Sequence, residues 1–177
     1  MKKILSIIAV LAAASTMALA QTYSNLIPQP LRVIPGDGVF VMEKGLSLCA
    51  PDALESERTY LQRHLENVFA FDMDLRDVPV YYGISLNLVE GMDSEAYRLS
   101  VSSTQIVIEA SDAAGIFYGV QTLLQMMPPA VYGQTDMELT RYELDAVAVE
   151  DAPRYGYRGT MLDVSRTFYD VDHVLRL

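Results

Sequence analysis

The sequence predicts an α+β domain, with a mostly antiparallel sheet and about two helices on one face, followed by the start of a parallel barrel. The first part rests on segments 83–89, 97–101 and 106–110, which alternate apolar and polar residues, and on two longer segments with helical apolar stripes. The second part rests on residues 157–168, where an apolar strand core carries charged residues at both ends. A (β/α)8 barrel needs about 250 residues. We therefore expect only its first strand and the start of its first helix before Leu177.

The first half of the α+β domain combines short strands with one helix. Two strands, 31–34 and 39–42, flank the turn sequence Pro35-Gly36-Asp37-Gly38, and a third strand follows at 46–49. A helix from Pro51 to about Phe71 is predicted from an apolar stripe opposite a charged face.

The second half contains the three alternating strands, the last two of which are joined by a tight turn and should pair antiparallel. A helix runs from 112 to about 127, with Ser111 as its N-cap, and one or two strands follow within 137–149. Gly115 and Gly119 lie four residues apart on that helix. Each glycine weakens a helix by about 1 kcal/mol, so the pair predicts close backbone approach to the sheet.

The N-terminus has the pattern of a secretory signal peptide. Lys2-Lys3 precedes an apolar run from Ile4 to Ala14, and Ala18-Leu19-Ala20 is a small-x-small cleavage site. We predict cleavage after Ala20 and a secreted or periplasmic protein; an uncleaved membrane anchor is the alternative. The chain then divides into a signal peptide over 1–20, an α+β domain over 21–150 and the start of a barrel over 151–177.

Composition excludes several classes of function. The formal net charge of −10 repels phosphate backbones, so nucleic acid is not an expected partner. Cys49 is the only cysteine, which rules out an internal disulfide, and we expect it to be a buried, inert thiol. With only two histidines in addition, a zinc site is improbable, so we expect no metal and no other cofactor. Apart from the signal segment, no stretch is long and apolar enough to span a membrane.

The charged residues of the barrel segment are the candidate site residues. Arg158 precedes Gly159, and its guanidinium suits neighbouring sugar hydroxyls or a carboxylate. Two roles stay open on spacing alone: Arg158 grips a polar substrate at the mouth of the barrel, or it pairs with an internal acid. For Asp163 and Arg166, three residues apart, we favour a structural ion pair or loop anchor. We expect 157–164 to be poorly defined or to lie against the preceding domain.

The barrel segment resembles a known family. Tyr157-Arg158-Gly159-Thr160-Met161-Leu162-Asp163-Val164-Ser165-Arg166-Thr167-Phe168 is similar to the opening of the catalytic barrel in family 20 glycoside hydrolases, the β-N-acetylhexosaminidases, with Thr167 in place of a common His. Upstream, Asp112-Ala113-Ala114-Gly115-Ile116-Phe117-Tyr118-Gly119-Val120-Gln121-Thr122-Leu123 is similar to the N-terminal α+β domain of that family.

The resemblance implies hydrolysis of terminal non-reducing β-linked N-acetylglucosamine or N-acetylgalactosamine by substrate-assisted retaining catalysis, with glycans as the partners. It implies that the catalytic Asp-Glu pair lies in a later His-x-Gly-Gly-Asp-Glu segment, which this sequence does not contain. Of the family's site residues, only the sugar-binding arginine maps here, as Arg158. We therefore expect no catalytic residue in this chain, and no activity from it alone.

Two other functions are weighed against the hydrolase. The first is a non-catalytic module that binds carbohydrate or docks to a partner. The second is a relative that shares the N-terminal domain, such as an α-glucuronidase or an O-linked N-acetylglucosamine hydrolase. The run Leu162-Asp163-Val164-Ser165-Arg166 argues against the second.

Overall fold

The computed structural model describes residues 25–78, 80–133 and 138–175, so the predicted signal peptide lies outside the described residues. Within these ranges, one sheet of seven strands packs against two longer helices. The strands are β1 Arg32–Glu43, β2 Ser47–Cys49, β3 Asp74–Arg76, β4 Gly83–Leu88, β5 Tyr97–Val101, β6 Gln105–Ala110 and β7 Arg141–Asp151. The helices are α1 Glu55–Glu66, α2 Ala113–Gln125 and α3 Val171–Val174, with 3-10 turns at Asp52–Leu54 and Pro129–Tyr132.

The sheet is mixed, and the prediction that it is mostly antiparallel is wrong. Its strand order is β1-β7-β5-β6-β4-β2-β3. The β1/β7, β7/β5 and β5/β6 pairs are antiparallel, whereas β6/β4, β4/β2 and β2/β3 are parallel. Because α1 lies between β2 and β3 in the chain, it returns the backbone to the end of the sheet where β2 began, which makes β2 and β3 parallel. The strand β6 then lies between β4 and its hairpin partner β5.

The predicted hairpin at 31–42 is a single long strand. Both halves of β1 pair with β7, and the register shifts between Pro35 and Val39. Gly36 lies so close to β7 that a Cβ there would be 3.2 Å from the Ala146 Cβ, and Gly38 has a φ of +106°. The turn residues therefore form an irregularity of the bulge type within one strand rather than a reversal of the chain.

The core lies between the sheet and the two longer helices, which pack against each other as well as against strands. Alternation along β5 and β6 points one set of side chains toward α2, as predicted. These buried residues are Tyr97, Leu99, Val101, Ile106, Ile108 and Ala110. On the opposite face of the sheet, Arg32 and Arg98 both approach the Glu150 carboxylate, at 3.5 and 3.7 Å.

The glycine pair of α2 meets the sheet as predicted. A Cβ built at Gly115 would lie 2.5 Å from the Ala96 carbonyl oxygen and 2.7 Å from the Ala110 Cβ. One built at Gly119 would lie 2.5 Å from Ile108 Cγ2. The absence of side chains at these two positions lets the helix backbone settle onto β5 and β6.

The predicted barrel strand is not formed. Residues 152–170, all of them described, contain neither strand nor helix, and α3 is a single helical turn at Val171–Val174. An extended segment becomes a strand only when a neighbour pairs with its backbone, and the described residues supply no neighbour here. Of the large apolar residues in the core of the predicted strand, Met161 is 92% exposed, and Leu162 and Val164 are 42% and 48% exposed, so this core is not buried. Arg154 and Arg158, in the first half of the segment, form hydrogen bonds with residues of the α+β domain.

Candidate functional site

Arg158, the predicted substrate-binding residue, lies against the α+β domain. Its Nη2 donates to Glu95 Oε1 at 2.6 Å and to the Tyr118 hydroxyl at 3.2 Å, and its Nη1 donates to the Tyr155 carbonyl oxygen at 2.7 Å. The guanidinium carbon is 5.8 Å from the centre of the Tyr118 ring, within cation–π range. The hydrogen bond to Glu95, followed by that to Tyr118, raises the pKa of Arg158 above its usual value. Arg158 therefore pairs here with an acid of the α+β domain, and its role in binding substrate stays a prediction.

Glu95 is held in position by the N-terminus of α2. Its backbone has a φ of 64°, an uncommon value for a residue with a side chain. Its amide donates to Asp112 Oδ2 at 2.9 Å, and Ser94 Oγ donates to the same oxygen at 2.8 Å. The other oxygen of Asp112 accepts from the Gly115 amide at 2.8 Å. A single carboxylate therefore caps α2 and fixes the loop that presents Glu95.

Asp112, and not the predicted Ser111, is thus the N-cap of α2. Ser111 Oγ donates instead to the Asp93 carbonyl oxygen, on the same loop. The hydrogen bonds from the Gly115 and Glu95 amides lower the pKa of Asp112, with a further contribution from Ser94. Three donors on one carboxylate favour its charged form.

The Asp112 contacts predict a pH-dependent contribution to stability. Because the folded-state pKa is lowered, the contribution is present above the ordinary Asp pKa of 3.8 and is lost as pH falls through the folded value. We expect Asp112→Asn to cost about 1 kcal/mol at pH 7, since the amide cannot accept from all three donors. Urea denaturation should show this difference from the wild type shrinking below pH 4. A difference that is constant between pH 7 and pH 3 would contradict the assignment.

A cavity of about 630 Å³ lies between α2, residues 27–29 and residues 151–158. Its lining combines aromatic rings with polar groups: Tyr118, Tyr155, Gln121, Asp151, Arg154 and Arg158. Within the described part of the chain, the buried Gln121 Nε2 has no hydrogen-bond partner. On the wall of the cavity the Tyr97 hydroxyl lies 2.6 Å from Thr122 Oγ1, and burial raises the pKa of Tyr97 to about 12. The volume falls within the range of small-molecule sites in proteins.

Residues that line the cavity join segments that are distant in sequence. Gln125 donates to the Ile27 carbonyl oxygen at 2.9 Å and accepts from its amide at 2.8 Å. Asp151 accepts from the Leu31 amide at 3.1 Å, and Arg154 donates to the Gln29 carbonyl oxygen at 3.3 Å. The residues after β7 are therefore tied to the stretch before β1.

The remaining candidate residues serve structural roles. The predicted Asp163–Arg166 ion pair is present, with Arg166 Nε 2.5 Å from Asp163 Oδ2. The other Asp163 oxygen accepts from the Arg166 and Ser165 amides, and these bonds, with that from the Arg166 side chain, lower the pKa of Asp163. Cys49 is buried, as predicted, and burial raises the pKa of its thiol. It is not placed to act as a nucleophile at the cavity.

Glu95 and Tyr118 are the residues of this site that sequence reasoning missed. Tyr118 lies within the predicted helix but outside its predicted apolar face, and Glu95 lies in a loop without a motif of its own. Within the described ranges, no three His, Cys, Asp or Glu side chains cluster closely enough to hold a metal ion. None of the helices in those ranges has the length and apolar character needed to cross a membrane.

Comparison with known proteins decides the family. Residues 23–152 match the family model described as "Glycosyl hydrolase family 20, domain 2", which covers more than half of the chain. The chain belongs to glycoside hydrolase family 20. The matched range ends before Arg158, so the family assignment does not depend on that residue.

Family 20 members from several bacteria are similar to this chain. The N,N'-diacetylchitobiase of Vibrio harveyi is 32% identical over 167 residues, which are 90% of this chain and 17% of the relative. The β-hexosaminidase of Porphyromonas gingivalis is 29% identical over 85% of this chain and 20% of its own length. The chain thus spans about a fifth of these relatives.

Solved family 20 structures share the fold. The β-N-acetylhexosaminidase of Streptomyces coelicolor A3(2) superposes with a TM-score of 0.73 at 35% identity, covering 85% of this chain and 31% of that one. A mutant Streptomyces plicatus β-hexosaminidase in complex with the product GlcNAc gives a TM-score of 0.76 at 34% identity, covering 85% and 30%.

Proposed function

We propose that this chain is part of a glycoside hydrolase that removes terminal non-reducing β-linked N-acetylglucosamine or N-acetylgalactosamine. Membership of family 20 carries the proposal, and the names of the similar proteins, chitobiase and β-hexosaminidase, support the substrate class. The sequence block around Arg158 adds independent support, because it resembles the opening of the family's catalytic barrel and lies outside the matched domain.

The proposed reaction is substrate-assisted hydrolysis with retention at the anomeric carbon. The acetamido oxygen of the sugar attacks that carbon, while a Glu protonates the leaving oxygen and a neighbouring Asp orients the acetamido group. This chain lacks the segment that would supply the Asp-Glu pair. Its own contribution is Arg158, whose guanidinium would donate hydrogen bonds to hydroxyls of the terminal sugar.

We also propose that the protein is exported, by the signal peptide predicted over residues 1–20, which ends in Ala18-Leu19-Ala20. Export would place the enzyme in the periplasm or outside the cell, where it could meet glycans. N-terminal sequencing of the exported protein should begin at Gln21. A mature N-terminus at Met1 would contradict cleavage.

The hydrolase proposal is tested by release of nitrophenol from a nitrophenyl N-acetylglucosaminide. We expect no turnover from the 177-residue chain and turnover from the product of the complete reading frame that encodes it. In the active product, Arg158→Lys should lower kcat/KM about tenfold, because Lys keeps the charge but loses the planar donor fork. Arg32→Lys, on the opposite face of the sheet, is the matched control and should leave kcat/KM unchanged. Turnover by the 177-residue chain would overturn the proposed location of the acid.

A non-catalytic carbohydrate-binding module is the second candidate. The cavity between α2 and residues 151–158 favours it, since aromatic and polar side chains share its wall. Titration of the chain with chito-oligosaccharides separates the two functions. The module is favoured if the 177-residue chain binds these sugars saturably and the product of the complete reading frame does not hydrolyse the nitrophenyl substrate.

A further inference from the structure

We propose that the outer face of α2 is the surface on which the catalytic barrel of the complete protein docks, with Gln121 as its central hydrogen-bond donor. This face consists of Ala114, Phe117, Tyr118, Gln121 and Gln125, which we call the α2 stripe. The inference rests on the proposed function, in which a barrel follows the α+β domain, and it adds the surface that receives the barrel.

The α2 stripe lies on the side of the helix that faces away from the sheet. Gly115 and Gly119, on the other side, lie against β5 and β6. The stripe residues recur at helical spacing, and each of them is exposed or half-buried, whereas the residues between them are buried. The sheet therefore covers only one side of α2.

The α2 stripe carries no charge. The whole of α2 contains no Asp, Glu, Lys or Arg, although 20% of the residues in the chain are charged. The other long helix, α1, contains five charged residues: Glu55, Glu57, Arg58, Arg63 and Glu66. A helix side that faces water normally carries charged residues, as α1 does. Absence of charge together with aromatic rings, here Phe117 and Tyr118, is typical of the buried centre of an interface.

The chain leaves the α+β domain beside α2. Asp151, at the end of β7, is in register with Tyr97 on β5. The Tyr97 hydroxyl lies 2.6 Å from Thr122 Oγ1 of α2, and its ring lies against Gly119. Whatever follows β7 therefore starts next to α2, and this holds for any conformation of residues 152–170.

The barrel is the partner that this position favours. The matched family domain ends at residue 152, and the chain spans about a fifth of the relatives from Vibrio harveyi and Porphyromonas gingivalis. Consecutive parts of a chain are usually adjacent in space, so a domain that continues from β7 covers the α2 stripe by a short connection. The opposite face of the sheet carries Arg32, Arg98 and Glu150 and suits water instead.

Gln121 supplies the polar contact at the centre of the stripe. Its buried Nε2 has no hydrogen-bond partner among the described residues. The other amide of the stripe, Gln125, is already engaged, because it both donates to and accepts from the Ile27 backbone. Buried donors in complete proteins are hydrogen-bonded, so the docked barrel presents an acceptor oxygen to Gln121.

Thiol labelling measures whether the stripe is covered. Cys49 is the only cysteine and is buried, so an introduced surface thiol reacts with a maleimide over little background. Ala114→Cys places a thiol in the stripe, and Ser100→Cys, at an exposed position on the outer face of the sheet, is the matched control. Both variants of the 177-residue chain should react at similar rates. In the product of the complete reading frame, Ala114→Cys should react at least about tenfold more slowly, because the interface must first open, and Ser100→Cys should keep its rate.

Two results would overturn the docking surface. The first is an equal labelling rate of Ala114→Cys in the two proteins. The second is protection that grows with the concentration of the 177-residue chain, which would make the stripe an interface between copies of that chain. Protection in the complete product should be independent of its concentration.

Gln121→Leu tests the central hydrogen bond. In the 177-residue chain it removes a buried donor that has no partner, so the free energy of unfolding should stay the same or rise. In the complete product it leaves the acceptor of the barrel unsatisfied, so labelling of Ala114→Cys should become about fivefold faster. The rate for Ser100→Cys should not change. Labelling of Ala114→Cys that is insensitive to Gln121→Leu would remove Gln121 from the interface.

The labelling assay contains no sugar, so its outcome is separate from that of the hydrolase assay. An active complete product without protection overturns the docking surface and leaves the hydrolase proposal intact. Protection in an inactive product supports the docking surface and counts against the hydrolase.

Discussion

Gly115→Ala should lower the free energy of unfolding by about 2 kcal/mol, even though alanine is the better helix former by about 1 kcal/mol. The added methyl group would lie 2.5 Å from the Ala96 carbonyl oxygen and 2.7 Å from the Ala110 Cβ. The first of these is backbone in the loop that Asp112 fixes, so relief requires α2 to move away from the sheet. Such overpacking typically costs 1–3 kcal/mol and occasionally more, which exceeds the gain in helix propensity.

Gly133→Ala is the matched control for this prediction. Gly133 has an extended backbone, with a φ of −153°, and a methyl group added there meets no atom within 4 Å among the described residues. Its effect should stay within about 0.5 kcal/mol. Urea denaturation measures both variants. A stabilising Gly115→Ala would show that helix propensity decides at this position, and the close packing of α2 on β5 and β6 would have to be abandoned.

The glycine pair shows what the sequence could predict about the fold. Gly115 and Gly119 weaken a helix that is otherwise strongly apolar, and close approach to a sheet explains why the helix tolerates them. The antiparallel pairing of β5 and β6 was equally predictable, because alternation and a tight turn are local signals. Local patterns of this kind fix the type of an element and the face that it buries.

Pairing between distant segments was not predictable in the same way. The parallel neighbours of β4 are β2 and β6, neither of which is adjacent to it in the chain, and no local pattern encodes that pairing. The strand β3 has three exposed residues and no apolar alternation, so only its place at the sheet edge identifies it. Around Pro35, glycine and aspartate predicted a reversal, but the long partner strand β7 pairs with both sides and turns the same residues into a bulge.

The candidate site likewise contains one residue that a local sequence pattern predicts and a partner that no local pattern predicts. Arg158 was singled out because a charged residue adjoins an apolar strand core, which is a local signal. Its partner Glu95 lies 63 residues earlier and has its φ of 64° stabilised by a carboxylate on another element. A contact between residues this far apart in the sequence has no local signal. The position of Glu95 depends on how the N-terminal ends of β5 and α2 meet, and only the folded structure reveals it.

Ile108→Ala should have the larger effect on stability, lowering the free energy of unfolding by about 3–4 kcal/mol. Ile108 is fully buried and lies in register with Leu86 on one side and Leu99 on the other. Truncation removes most of an apolar side chain from the centre of the core and leaves a cavity that the paired backbone on both sides prevents from collapsing. Urea denaturation is again the measurement.

A substitution at Gly119 gives a more specific test of this packing, because Gly119 lies against Ile108 Cγ2, an atom that Ile108→Ala removes. A methyl group added at Gly119 would lie 2.5 Å from Ile108 Cγ2 and 3.2 Å from Tyr97 Cδ2, so Gly119→Ala alone should cost about 1–2 kcal/mol. In the Ile108→Ala background Cγ2 is gone and the methyl group enters the cavity. The double variant should therefore be about 1–2 kcal/mol more stable than the two separate effects imply. Gly133→Ala combined with Ile108→Ala should be additive, and additivity for the Gly119 pair as well would mean that α2 does not rest on β6 at this point.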